Sequence, residues 1–291
     1  MPQKTDNPTR GFFTIAQDGP NGEYVRMAYA LALSLKVSQR EHSKLSIGIT
    51  PGYSLPEEYR WAFDEVIEIP WGDHAADSKW KLENEWKVIH MTPYDQTIKL
   101  DADMLFFSDI AGWWDEMALE DFVICNRVLD YRASTASDDF YRKTFTINNL
   151  PNIYTAMMFF KKTDATHELF DFAKFIYFNW ESMFENCLIP EHRPDHVSTD
   201  VVFALALKIL DLDGSSSTER MVPTFTHMKT KLQGWKGGIE DDWRRHINTF
   251  VTPELEFKLG NYIQHFPLHY YRKEFLTDEI IGYYERQLGR R

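Results

Sequence analysis

Short apolar, β-favouring runs alternate with helix-length amphipathic stretches through the first hundred residues, and that alternation leaves few folds open. Phe12-Phe13-Thr14-Ile15-Ala16 is the first run, closed by the turn residues Gly19, Pro20, Asn21 and Gly22. Tyr24, Ala28, Leu31 and Leu35 then recur at steps of four, three and four, which lines one face of a helix ending near Lys36. Leu45-Ser46-Ile47-Gly48-Ile49 reads as a second strand, residues 55–63 as a helix opened by Pro56, and Val66-Ile67-Glu68-Ile69 as a third strand. Residues 80–90 are predicted to form a further helix, and Pro93-Tyr94-Asp95 turns the chain into a fourth strand, Gln96-Thr97-Ile98-Lys99-Leu100. Strands joined by helices pair in parallel, so the pattern predicts an α/β fold with a mostly parallel, doubly wound sheet flanked by helices.

The second half alternates less cleanly. Phe122-Val123-Ile124 and residues 153–160 read as strands; Leu169, Phe172, Ile176 and Trp180 share one helix face; a helix over 199–210 is capped by Ser198 or Thr199. With 291 residues the chain fits one domain, 1–291, made of a first half over 11–120 and a second over 121–291. A net charge of −12 weighs against a protein that coats nucleic acid nonspecifically, which needs clustered Lys and Arg. No apolar run approaches the roughly 20 residues of a membrane span. Two cysteines, Cys125 and Cys187, and a start without an apolar signal core predict a reducing, cytoplasmic setting.

Several chemistries have no motif here. GxxxxGK[ST], GxGxxG, HExxH, GxSxG and paired CxxC are all missing, which removes kinases, Rossmann dehydrogenases and zinc proteases from consideration. What remains is Asp101-Ala102-Asp103 at the end of the fourth strand. Residues two apart in an extended chain project from one face, so both carboxylates point together while Ile98, Leu100, Ala102 and Met104 anchor the other face. Such a pair at the carboxyl end of a parallel strand suits a hard divalent cation bridging to a diphosphate; the plainer alternative is two solvated aspartates in a surface turn.

Thr14-Ile15-Ala16, Lys99-Leu100-Asp101-Ala102-Asp103 and Asn152-Ile153-Tyr154-Thr155-Ala156-Met157-Met158-Phe159 resemble the GT-A glycosyltransferases over roughly residues 11–275. The likeness is greatest to the glycogenin-like retaining branch and to glycosyltransferases carried by large phages. It implies a GT-A fold whose 11–120 half binds a nucleoside-diphosphate sugar, with a UDP-sugar as donor, and whose 121–291 half faces a hydroxyl acceptor. It implies that Asp101 and Asp103 hold Mn2+ or Mg2+, and that a histidine in a His-Phe or His-Tyr pair completes the site. Asn261-Tyr262-Ile263-Gln264-His265-Phe266 resembles that pair, making His265 the third ligand with His269 as competitor; Arg272 or Lys273 would face the diphosphate. Ser198-Thr199-Asp200-Val201-Val202 is similar to the family's Asp-Gln element and places Asp200 beside the anomeric carbon, with Val201 where glutamine is usual. Asn152 borders the sugar, and Thr155 or Ala156 stands where the family has glycine. Thr14, Ala16, Gln17, Tyr24 and Asp64 are candidate contacts to base or ribose, and Lys79 or Lys87 could aim an ammonium at the diphosphate.

Two rivals use related parts. A nucleotidyltransferase also sets carboxylates on an α/β sheet, but it needs a Gly-rich, basic loop after the first strand, which Gln17-Asp18-Gly19-Pro20-Asn21-Gly22 does not supply. A non-catalytic sugar-binding module has no reason to keep metal ligands together. For the acceptor, the acidic balance favours a glycan, small molecule or protein hydroxyl. Against it, Arg127, Arg132, Arg142, Lys143, Lys161 and Lys162 interleave with Tyr131, Tyr141 and Phe145, and a second basic run from Lys229 to Arg245 carries Trp235 and Trp243. Basic side chains among aromatics can track phosphates and stack an extruded base, which with the phage likeness brings in duplex DNA bearing a hydroxymethylated base. The oligomeric state has no signal in the sequence.

Overall fold

The computed structural model describes residues 8–19, 23–78, 81–136, 142–213, 222–228, 248–252, 256–270 and 273–290. The chain opens with β1 (Arg10–Ala16), α1 (Tyr24–Gln39), β2 (Leu45–Ile49), α2 (Glu57–Arg60), β3 (Val66–Glu68) and α3 (Val88–Met91). It continues with β4 (Gln96–Leu100), β5 (Met104–Leu105), α4 (Ala111–Met117), β6 (Phe122–Cys125), β7 (Arg127–Leu129), α5 (Lys143–Ile147) and β8 (Tyr154–Lys161). Helices α6 (Asp164–Phe178), α7 (Trp180–Cys187) and α8 (Thr199–Ile209) follow. Five short strands, β9 (Thr224–His227), β10 (Thr249–Val251), β11 (Phe257–Leu259), β12 (Tyr262–Ile263) and β13 (Leu268–His269), lead to α9 (Asp278–Gln287).

The main sheet has the order β3-β2-β1-β4-β8-β6. β1 to β4 run parallel, β8 runs against β4, and β6 runs against β8, so β8 is the reversed strand of a mostly parallel sheet. Side chains alternate between its faces as the period of two demands. Phe12, Ile98, Leu100 and Met157 pack on the α1 and α9 side, while Phe13, Met158 and Phe160 pack against α6 and α8. A second sheet, β5-β13-β9-β7, stands beyond the carboxyl end of β4, and β10, β11 and β12 form an antiparallel trio. Polar side chains of α1 pin the segment after the Asp101–Asp103 triplet. Ser34 Oγ accepts from Phe106 N at 3.1 Å, and the Gln39 amide donates to Ser108 O at 2.8 Å and accepts from Ile110 N at 2.9 Å.

β1 to β4, β6 and β8 fall where the pattern puts them, β5, β7 and β9 to β13 are additional to it, and the helices differ in extent. α1 runs on to Gln39, whereas the helix expected over 55–63 contracts to Glu57–Arg60. The helix expected over 80–90 is a 3₁₀ turn, Glu85–Lys87, followed by the single turn of α3. Glu85, Trp86 and Lys87 are all buried, so no amphipathic stripe exists there, and Thr92 goes extended at ψ 132° before Pro93. The expected helix through Trp180 breaks at Asn179, whose φ of −127° and ψ of 22° separate α6 from α7. Among the described residues no helix is long and apolar enough to cross a membrane.

Gly11 shows how tightly β1 is packed. A Cβ added there would run into the ring of Tyr94, which is held in place by its 2.8 Å hydroxyl contact with Ser46 Oγ. Gly11→Ala is therefore expected to destabilise the fold by about 1–3 kcal/mol through overpacking. Urea unfolding checks it: the midpoint should fall with the slope unchanged.

Candidate active site

β1 and β4 lie side by side in parallel, with Phe13 opposite Lys99, so the residues after both strands emerge at one edge of the sheet. β4 ends at Leu100, and Asp101-Ala102-Asp103 forms the turn into β5 rather than a continuation of the strand. The carboxylates converge because the turn is tied at both ends. Asp101 N donates to Ala156 O at 2.9 Å, and Tyr270 N donates to Asp103 O at 3.0 Å.

Among the described residues, Asp101, Asp103 and His269 form a group able to hold a metal, each offering a ligand atom within 4.8 Å of the others. His269 Nε2 lies 3.0 Å from Asp103 Oδ1 and 3.7 Å from Asp101 Oδ2. Bonds of about 2.1 Å place neighbouring donors about 3 Å apart and opposite donors about 4.2 Å apart, so the separations suit one small divalent ion. Two carboxylates with an imidazole suit manganese or another first-row ion. Among the described residues His269 Nδ1 is buried without a hydrogen-bond partner, and the His227 ring stacks on His269 at 4.9 Å and 10°.

His265 is the third ligand expected from the sequence, and the structure places it elsewhere. Its side chain is exposed in the turn after β12, and Ser108 Oγ donates to its carbonyl. β13 brings His269 in by register: it pairs antiparallel with β5, His269 opposite Met104, next to Asp103. The sequence carries a signal for this, since His269-Tyr270 is also a His-Tyr pair and Lys273 follows four residues later.

Lys99 is a component that sequence reading did not assign. Its ammonium, on a side chain 2% exposed, lies 2.7 Å from Asp101 Oδ1 and 2.8 Å from Glu85 Oε2, and donates to Thr155 O at 3.2 Å. Burial alone would lower its pKa, but the charges of Asp101 and Glu85 outweigh burial and hold Lys99 above the usual lysine range. Burial pushes the Glu85 carboxyl up, against the opposing charge of Lys99.

Asp200 occupies the first turn of α8 and is held on both oxygens. Oδ1 accepts from Thr155 N at 2.8 Å and from Thr155 Oγ1 at 2.7 Å, and Oδ2 accepts from Arg142 Nη1 at 2.8 Å. Arg142 also donates to Asn152 Oδ1 at 2.8 Å and to Ile153 O, and its guanidinium sits between the rings of Phe145 and Tyr154, 4.0 and 4.1 Å from their centroids. Burial works to raise the Asp200 pKa, yet the Arg142 charge and these hydrogen bonds prevail and hold it below the ordinary carboxylate range. Arg142, missed as a site residue, thus brings Asn152, Thr155 and Asp200 together.

The other expected contacts divide. Gln17 is buried after β1, donates to Thr50 Oγ1 at 3.0 Å and Asp73 Oδ2 at 2.7 Å, and accepts from Asn84 Nδ2 at 2.8 Å. Thr14 and Ala16 are buried within β1, and the Thr14 hydroxyl has no partner among the described residues; Ala156 is buried beside Asp101; Tyr24 begins α1. Lys87 does not face the metal group: its buried ammonium donates to Gly72 O at 2.5 Å, and burial pushes its pKa down to about 8 against the charge of Asp73. Asp64 accepts from Leu45 N at 2.9 Å, at the amino end of β2 and so away from the site edge. Lys273 begins a 3₁₀ turn, while its side chain and all of Lys79 and Arg272 lie outside the described residues.

No protein-family model matches the chain, and no curated protein matches it in sequence. Solved structures match its fold. The galactosyltransferase LgtC, in complex with donor and acceptor sugar analogues, aligns with a TM-score of 0.52 at 11% identity over 96% of this chain and 94% of that one. A structure of an active-site mutant of LgtC gives 0.53 at 9% identity over 96% and 95%. Mouse xyloside xylosyltransferase 1 aligns more loosely, at 0.46 with 11% identity over 90% and 97%. The fold is that of the GT-A glycosyltransferases, with the expected parallel-dominated sheet.

Two measurements follow from this geometry. Titrated with Mn2+ in a calorimeter, His269→Ala is expected to lose about 10-fold or more in affinity, because even outer partners of metal ligands are worth that much, whereas His265→Ala keeps wild-type affinity. The Asp200 pKa is depressed on folding, so its contribution to stability is present above the unfolded carboxyl value of about 3.9 and disappears as pH falls through the folded one. The stability gap between wild type and Asp200→Asn should accordingly close on acidification below about pH 4 in urea unfolding series.

Proposed function

We propose that the chain is a glycosyltransferase that moves a sugar from a nucleoside-diphosphate sugar, with UDP-sugars as the first donors to test, to a hydroxyl acceptor. The observation that carries this reading is the Asp101, Asp103 and His269 group at the carboxyl edge of β4, where open α/β sheets bind ligands, within a GT-A fold. The donor set favours Mn2+, with Mg2+ as the alternative. When bound there, the cation supplies Lewis acidity to the departing diphosphate.

The chain's own residues account for the rest. Asp200, kept ionised by Arg142 and oriented by Thr155, stands on the sugar side, where a fixed negative charge stabilises an oxocarbenium-like centre. Transfer with retention follows the family resemblance. The Gln17, Asn84 and Asp73 contacts fill the space after β1 with amides and a carboxylate, which argues against a phosphate-cradling nucleotidyltransferase loop. The Lys99 and Arg142 ion pairs that orient Asp101 and Asp200 serve no purpose in a passive sugar-binding module.

The acceptor reading turns on the basic side chains of the second half. Arg132 pairs with Asp130 at 2.9 Å, Arg142 with Asp200 at 2.8 Å and Lys161 with Asp121 at 3.3 Å, and Lys162 donates to Thr92 O at 2.6 Å. Cations committed in this way are poor trackers of a phosphate backbone. The second basic run, Lys229 to Arg245, lies outside the described residues; on the described cations, a glycan or small-molecule hydroxyl is the favoured acceptor over duplex DNA.

The test is a panel of nucleotide sugars assayed for hydrolysis and transfer with Mn2+ and with chelator. Outer partners of metal ligands are worth about 10- to 100-fold, so loss of a ligand itself in Asp103→Asn should lower turnover by more than about 100-fold. Asp200→Ala should lower turnover more than nucleotide affinity. Activity indifferent to chelator would sink the metal reading, and efficient transfer to hydroxymethylated duplex DNA rather than saccharides would reverse the acceptor reading.

A further inference from the structure

Three oxygens surround the Lys99 ammonium: it donates to Asp101 Oδ1 at 2.7 Å and to Thr155 O at 3.2 Å, and it is ion-paired with Glu85 Oε2 at 2.8 Å. Two hydrogen bonds and one ion pair hold the group from three parts of the chain. One consequence falls on Asp101. Its Oδ1 is taken by Lys99, which leaves Oδ2 facing His269 Nε2 at 3.7 Å. The other consequence passes through Thr155. The residue whose carbonyl receives Lys99 also gives its amide and hydroxyl to Asp200 Oδ1, at 2.8 and 2.7 Å. Metal-side and sugar-side carboxylates are thereby joined by one side chain and one residue of backbone.

We infer that Lys99, backed by Glu85, is a positioning residue that presents one oxygen of Asp101 to the metal and sets that carboxylate against Asp200 through Thr155. The inference rests on the glycosyltransferase reading and adds to it a buried device outside the ligand set. Stability alone does not explain the arrangement, since a buried ion pair can often be replaced by apolar side chains of similar volume without loss of stability. A buried pair retained beside two candidate reactive groups is better explained by what it orients. Partners of this kind, which hold the ligands and not the ion, typically carry about 10- to 100-fold of metal affinity or activity.

Replacing Lys99 alone would strand Glu85 in the core and risk the fold. The test is therefore Lys99→Met with Glu85→Gln, which removes one charge of each sign and keeps the net charge, in the full-length protein with unfolding checked in urea. Titrated with Mn2+ alone and followed by calorimetry and the Mn2+ paramagnetic resonance signal, the double variant is expected to bind about 10-fold more weakly or worse. At saturating Mn2+ its turnover should stay low with little change in KM, because the Thr155 link to Asp200 is lost as well. A folded double variant with wild-type Mn2+ affinity overturns the inference, and full recovery of turnover at saturating Mn2+ overturns the link to Asp200. Failure of the wild type to bind Mn2+ would instead sink the metal reading on which both depend.

Discussion

An ammonium in the middle of a buried strand has to be met by carboxylates and carbonyls, and Lys99 imposes that condition on three separate parts of the chain. The 3₁₀ turn holding Glu85 must reach β4, the start of β8 must present the Thr155 carbonyl, and the turn after β4 must keep Asp101 close. The cost of an unpaired buried charge is several kcal/mol, which makes any arrangement lacking one of these partners unfavourable. The antiparallel pairing of β4 with β8, Leu100 opposite Met157, delivers Thr155 and Ala156 to the strand end where they are needed. The site edge is thus organised from a charge inside the sheet outward.

Arg142 performs the equivalent task on the other side. Its guanidinium is sandwiched between Phe145 and Tyr154 and donates to Asp200, Asn152 and the Ile153 carbonyl, so α8, α5 and the start of β8 are locked around one carboxylate. The two carboxylate centres share Thr155 and differ in surroundings. Asp200 is saturated with donors and held acidic, whereas Asp103 keeps its oxygen against an imidazole. Environments that separate the roles of neighbouring carboxylates are a recurrent basis for acid, base and electrostatic assignments in sites of this chemistry.

Much of this was legible in the sequence because period-two and helical patterns are local. β1 to β4 and the helices α1 and α8 are all encoded within windows of a few residues, whereas Asp101 and Asp103 converge through a turn tied by Ala156 and Tyr270 and not through a shared strand face. What was not legible depends on partners far away in the chain. Residues 80–90 contain enough apolar side chains for a helix, but burial of Glu85 and Lys87 through contacts with Lys99 and Gly72 accompanies a 3₁₀ turn and the single turn of α3 in its place. His265 and His269 sit in similar local contexts, and only the register of β13 against β5 tells them apart. The role of Lys99 required Glu85, a residue with no motif of its own. Two basic residues of the second half, Lys161 and Arg142, have acidic partners that no short window shows, Asp121 and Asp200.

Charge balance at the site gives the divalent cation its physical necessity under the proposed reaction. Asp101, Asp103, Glu85 and Asp200 gather there, and the paired cations around them are Lys99 and Arg142, so the described residues leave an excess of two negative charges when all are ionised. A diphosphate is itself an anion, and bringing it to such an edge costs energy that falls slowly with distance in a partly buried setting. Lys99 and Arg142 are already committed to the carboxylates they orient, which cancels the charge they could offer it. Under the proposed reaction the charge that welcomes the leaving group comes from outside these side chains, as a divalent ion on Asp101, Asp103 and His269 would supply it. This is also why neither aspartate is expected to tolerate conversion into a second structural ion pair. A cation from the protein in place of the metal would neutralise the edge permanently, and the site would lose the difference between its loaded and unloaded states on which donor binding and release depend.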